Sequence, residues 1–175
     1  MNEPTAANGK PKNQFSPLRV VIGVLIGVAV LAGFIYPPVP PIPKSHARRL
    51  VCLVNLRTLT LGLNTYAGEH GGVYPAAEKW CDLVADRYVP EEGFRCRSGG
   101  PGRCHYAVNP LADPNGDPNV VLLFECDGGW NQSGGPELLT MKHHEDKGSC
   151  VSFVSGDVRF VERAEIPSLK WGADE

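Results

Sequence analysis

VVIGVLIGVAVLAGFIY, residues 20–36, runs seventeen positions without a charge and is followed at once by PPVPPIP, residues 37–43. An apolar run of that length near an N-terminus reads as a membrane-spanning helix, because lipid forces every backbone polar group to bond within the segment. The proline block ends it, since each ring removes an N–H donor and clashes with the preceding turn. The expected layout is a disordered cytoplasmic tail (1–17), a transmembrane helix (18–36), a Pro-rich spacer (37–44), a folded domain (45–171) and a short tail (172–175). A secretory signal is the other reading of residues 20–36, but no small-x-small cleavage site closes the run.

Beyond the proline block roughly 130 residues remain, enough for one modest domain. A net charge of −2 excludes the concentrated basic face that nucleic acid requires. Twenty glycines and sixteen prolines point to many turns and short elements rather than a helical bundle. All six cysteines (Cys52, Cys81, Cys96, Cys104, Cys126, Cys150) lie after the apolar run. An even count on one side suits an oxidising compartment and up to three disulfides. The preferred pairs are Cys96–Cys104 across a glycine-rich loop, Cys126–Cys150 between strands, and Cys52–Cys81. The rival zinc reading lacks any Cys-x2-Cys pair. Basic residues flank the run on both sides (Lys10, Lys12 and Arg19 against Lys44, Arg48 and Arg49), so the charge rule does not orient it. The cysteines do: the expectation is a single-pass protein of the cytoplasmic membrane with its domain in the periplasm or beyond.

Within the domain, Ser45 can cap a helix to about Ala67 whose stripe includes Leu50, Leu53, Val54, Leu56, Leu59, Leu61, Leu63 and Tyr66. Gly68 and Gly71-Gly72 stop it. A second helix is predicted over Ala76–Tyr88. Strands follow at His105–Val108, Val120–Phe124, Glu137–Lys142, Cys150–Val154 and Val158–Val161, the last two joined by a Ser155-Gly156-Asp157 turn. Helices first and strands after give an α+β domain, a long amphipathic helix laid across a small antiparallel sheet.

This order resembles the type IV pilin and pseudopilin architecture, and specifically the pilin-like bacterial proteins named for a His-x9-Asp-Gly element, abundant in planctomycetes and related phyla. The residues that carry the resemblance are Ala47-Arg48-Arg49, Cys52, Asn55-Leu56, Tyr66 and Tyr74-Pro75, then Phe94-Arg95-Cys96 and Tyr106–Pro110. Val121–Glu125, Trp130-Asn131, His144 and Phe153–Phe160 complete the series, in order along the chain. The resemblance implies a non-enzymatic, membrane-anchored component of a type II secretion or type IV pilus-type assembly. Its implied partners are the lipid bilayer and pilin-like subunits or secretion-machinery proteins. The competing class is a membrane-tethered module, its assembly function lost, that binds a ligand or a divalent metal.

Two departures qualify the resemblance. The family opens its apolar helix with Gly-Phe-Thr-Leu-Ile-Glu and is cut after the glycine; here Gln14, Phe15 and Arg19 stand at the aligned positions. Gln14 replaces the glycine and Arg19 the glutamate thought to meet a neighbouring subunit's amine. The chain is therefore expected to be neither processed nor polymerised as a major filament subunit. In the signature, ten residues rather than nine separate His144 from Ser155-Gly156, and the aspartate has moved to Asp157.

Chemistry-bearing candidates are few. His144, Asp157, Glu125 and Asp127, with His143, Glu145 and Asp146 nearby in sequence, could converge on a divalent cation; the bland alternative is a hydrogen-bonded histidine among solvated carboxylates. A cysteine–histidine nucleophile would use Cys104-His105 or Cys150 with His144, but no flanking catalytic signature accompanies either, and no enzyme activity or cofactor is expected. Trp80, Trp130 and Trp171 read as core residues, and the glycine clusters lack the strand–loop–helix setting of a phosphate loop.

Overall fold

The structure is a computed structural model that describes residues 16–36 and 43–172, the Phe34 side chain excepted. It divides into two compact units, Met1–Pro41 and Ile42–Glu175. The expected disordered tail, most of the proline spacer, the last three residues, and Gln14 and Phe15 lie outside the described residues.

In the first unit, helix α1 spans Pro17–Ile35, with Pro17 in the first turn, where its missing N–H costs nothing. Arg19 also sits in that turn, so the uncharged part is residues 20–35, about 24 Å at ~1.5 Å per residue against a hydrocarbon core of ~30 Å. Among the described residues no helix is long and apolar enough to cross a membrane. The expected transmembrane anchor, and with it the single-pass placement in the cytoplasmic membrane, is corrected accordingly.

The second unit opens with α2, Lys44–Glu69. Pro43, not Ser45, is its N-cap, and no side chain caps it. Cys52, Leu56, Leu59, Leu63 and Ala67 are buried at three- and four-residue steps, while Leu50, Val54 and Leu61 are exposed, so the apolar stripe is narrower than expected. Gly71 and Gly72, both at positive φ, turn the chain away. The predicted helix over 76–88 is instead a 3-10 turn, Ala77–Lys79, and a short α3, Trp80–Val84. It stops there because Ala85 is extended and Asp86 takes φ +62°. Val89 then folds back onto α2 at Gly62, where an added Cβ would meet Val89 Cγ2 at 2.5 Å. A 3-10 turn at Glu91–Phe94 leads on to the strands.

Four strands follow: β1 (Tyr106–Val108), β2 (Val121–Glu125), β3 (Gly148–Phe153) and β4 (Val158–Glu162). They form an antiparallel meander in the order β1-β2-β3-β4. The expected strand over 137–142 is absent: Pro136–Leu138 and Lys142–His144 are 3-10 turns, and the segment pairs with the sheet through one backbone bridge, Leu139 to Cys126, while Leu138 and Leu139 pack on its core layer. Pro136, without an N–H, favours a turn start over a ladder.

Both faces of the sheet are covered. Leu56, Leu59 and Leu63 of α2 pack with Trp80, Phe94, Tyr106, Leu123 and Cys150. On the other face Ala107, Val121, Phe124, Val151 and Phe153 meet Leu169 and Trp171. Phe124 and Trp171 stack edge-to-face, centroids 4.9 Å apart. The architecture is thus α+β, a long helix over a small antiparallel sheet.

One disulfide, Cys52–Cys96, ties α2 to the segment before β1, while Cys81, Cys104, Cys126 and Cys150 are buried thiols. The three expected pairs give way to it for a simple reason. Cys126 belongs to the layer on one side of the sheet and Cys150 to the other, so the pleat keeps them apart. Cys96, in turn, faces α2 rather than the glycine loop that leads to Cys104.

Candidate functional site

Glu125 is the last residue of β2 and has no exposed surface. A bulge between Val121 and Leu123 shifts the register of β2 on β3. It places Leu122 and Leu123 in the same layer, so that Glu125, two residues after Leu123, points to the α2 side. There its carboxylate meets His144, from the 3-10 turn ahead of β3: Nε2 lies 2.9 Å from Oε2 and 3.1 Å from Oε1. The Cys150 amide donates to Oε2 at 2.8 Å. His143 Nδ1 lies 3.9 Å from Oε1, beyond hydrogen-bond reach.

Burial pushes the Glu125 carboxyl up, but the two imidazoles and the Cys150 amide outweigh it and hold the group below the ordinary carboxylate range. A charged carboxylate therefore sits under α2, satisfied by donors from two elements. The surrounding rings fix those donors. His144 stacks edge-to-face on Phe160 at 5.4 Å, and Arg49 of α2 covers the same Phe160 ring at 3.5 Å. His105, itself buried, meets His143 edge-to-face at 5.6 Å. Burial, with His143 alongside, favours neutral His105.

The Cys52–Cys96 bridge borders this cluster: both sulfurs, a Glu125 oxygen and a His144 nitrogen all lie within 4.8 Å of one another. From outside, a cavity of about 200 Å³ reaches His143 and His144 past Arg48, Arg49, Lys142 and Lys147.

Of the four metal candidates read from the sequence, Glu125 and His144 come together. Asp127 does not join them, being ion-paired with Lys142 on the surface. Nor does Asp157, which sits in the β3–β4 turn and lines a different cavity with Phe153 and Arg159. The buried His144 thus takes its carboxylate from the end of β2 rather than from the β3–β4 turn that carries Asp157.

Cys150 Sγ lies 3.4 Å from His144 Nε2. This is not nucleophile geometry, for two reasons. A relay needs one imidazole nitrogen for the thiol and the other for the carboxylate, whereas here Nε2 faces both. In addition, burial and then the Glu125 charge raise the Cys150 thiol well above its ordinary value, which disfavours thiolate. Cys104 is likewise raised, first by its hydrogen bond with Cys81 and then by burial. The Gly128–Asn131 loop is pinned rather than open: Trp130 Nε1 donates to Asp82 at 2.6 Å, and Asn131 Oδ1 accepts from the Cys81 amide at 2.8 Å.

Sequence reasoning grouped His143 with Glu125 and His144 but missed the disulfide as a wall of the cluster. The signal for the cluster was Glu125 itself, a charge closing an otherwise apolar strand. No protein-family model, curated protein or solved structure matches the chain.

Proposed function

We propose that the chain is a pilin-like, non-enzymatic component of a type II secretion or type IV pilus-type assembly, acting through protein–protein contacts. The observation that carries this reading is α1. Val20, Val21 and Ile22 are consecutive and all about half exposed, as are Val24, Leu25, Ile26, Val28 and Leu31, so the helix is apolar on every side. Such a helix needs cover, and its length falls short of a bilayer. Apolar helices of other subunits supply the cover that remains. The outward Leu50, Val54 and Leu61 stripe of α2 adds a second apolar surface, and the helix-then-meander order agrees with the resemblance. The buried, protonated Cys150 thiol supports a non-enzymatic role.

The test is Val24→Cys in the full chain, labelled with a maleimide–benzophenone and photo-cross-linked in the native cell, with mass spectrometry of the products. Cross-links from α1 to pilin-like subunits are expected. A chain that forms none, or joins only unrelated proteins, refutes the proposal.

A further inference from the structure

We propose that reducing the Cys52–Cys96 disulfide converts the buried cluster into a site for one divalent cation of the zinc class. Its ligands are the Cys52 and Cys96 thiolates, His144 Nε2 and a Glu125 carboxylate oxygen. Those four donor atoms already lie within 4.8 Å of one another. A tetrahedral site with bonds of about 2.0–2.3 Å has ligand–ligand edges of roughly 3.3–3.8 Å. Only small shifts separate the two arrangements, and opening the bridge frees both sulfurs to make them.

The donors come from four separate places: α2, the segment before β1, the end of β2 and the turn before β3. Their framework is packed on every side, which favours a preformed site. An outer layer is present as well, since the Cys150 amide orients the Glu125 carboxylate and Phe160 fixes the His144 ring.

An independent observation points into the same space. His143 Nδ1 is buried, with its side chain 7% exposed, and has no hydrogen-bond partner among the described residues. The 200 Å³ cavity that reaches His143 and His144 is the entry path. Two thiolates, one imidazole and one carboxylate select a borderline-soft ion over calcium or magnesium. The site's excess negative charge faces Arg49, whose Nε is also buried without a partner among the described residues.

The redox step is ordinary thiol–disulfide exchange. A dithiol reductant supplies two electrons and two protons, the Cys52–Cys96 S–S bond breaks to two thiols, and the reductant leaves as its cyclic disulfide. Cation binding then releases both thiol protons to solvent. Oxidation by a disulfide reverses the sequence and expels the ion.

The test uses Co²⁺ as a spectroscopic probe on the full chain, reduced with dithiothreitol and freed of it anaerobically. One cobalt per chain is expected, with tetrahedral d–d bands and the thiolate charge-transfer intensity of two sulfurs. The oxidised chain should bind none. His144→Gln and Glu125→Gln should each weaken binding at least tenfold, with circular dichroism as the folding control, whereas Cys81→Ser/Cys104→Ser should retain it. The proposal is overturned if reduced wild type shows no two-thiolate band, if the oxidised chain shows the same band, or if Cys52→Ser/Cys96→Ser keeps it.

Discussion

Replacing Glu125 tests how the buried carboxylate serves the fold. Alanine at 125 leaves the Cys150 amide and His144 Nε2, now 2.8 and 2.9 Å from Oε2, without an acceptor inside the core. Each stranded donor costs about 1–3 kcal/mol, so the two together cost about 3–5 kcal/mol. Glutamine keeps the shape and one acceptor oxygen but loses the charge assistance, for about 1–2 kcal/mol. At ~2–5 °C per kcal/mol for a domain of this size, Glu125→Ala should melt roughly 10–20 °C below wild type and Glu125→Gln only a few degrees below. Thermal and urea unfolding of the oxidised chain at pH 7, followed by circular dichroism and tryptophan fluorescence, measure the melting shifts and the free energies. The pH dependence adds a second constraint. The folded-state pKa of Glu125 lies below its unfolded value, so its contribution is complete above about pH 4.5 and disappears as pH falls through the folded pKa. The gap between wild type and Glu125→Gln should therefore narrow in acid. A Glu125→Ala chain within 1 kcal/mol of wild type (an order-of-magnitude threshold set by ordinary surface substitutions), or a gap indifferent to acid, would refute the reasoning.

Other substitutions probe separate parts of the structure. Gly148→Ala would drive a Cβ into the Val161 carbonyl oxygen and within 2.7 Å of Phe160 Cζ; a loss of about 3 kcal/mol or more is expected in the same unfolding assay. Cys52→Ser removes a bridge of sequence separation 44 and should cost about 4 kcal/mol in oxidising buffer on the chain-entropy account, with most of the difference vanishing when both proteins are reduced. Asn131→Ala deletes the acceptor for the first amides of α3 and puts alanine at φ +58°; about 1–3 kcal/mol should be lost, with a matching change in Trp130 fluorescence. N-terminal sequencing of the native protein should find no start at Phe15, because Gln14 stands where the prepilin glycine would be.

Local patterns carried the main elements. The apolar run ahead of Glu125 is β2, the Ser155-Gly156-Asp157 turn joins β3 and β4, and the leucine-rich stretch after Pro43 is α2. Facing was harder to read. Every residue of β2 is buried, so no alternation shows which side each takes. Counting by twos from Val121 would put Glu125 on the face away from α2; the bulge reverses that parity and brings it to His144. The cysteine pairing failed for the same reason, since the side of the sheet that a thiol occupies is a property of the assembled layers. Residues 20–35 misled in another way: their composition is that of a span, and their length, with Arg19 in the first turn, is not.

The last described residues close the sheet face that α2 does not touch. Lys170 bridges to Val120, Trp171 covers Phe124, and the Trp171 carbonyl accepts from Asn109 at 2.9 Å. During synthesis, the helices and strands therefore leave the ribosome before their second core can be sealed. A nascent chain, or one clipped before Leu169, would show Phe124, Val151 and Phe153 to chaperones and proteases. The last segment thus sets the order of assembly: the α2 side of the sheet can pack first, and the far side closes only once Leu169 and Trp171 are in place.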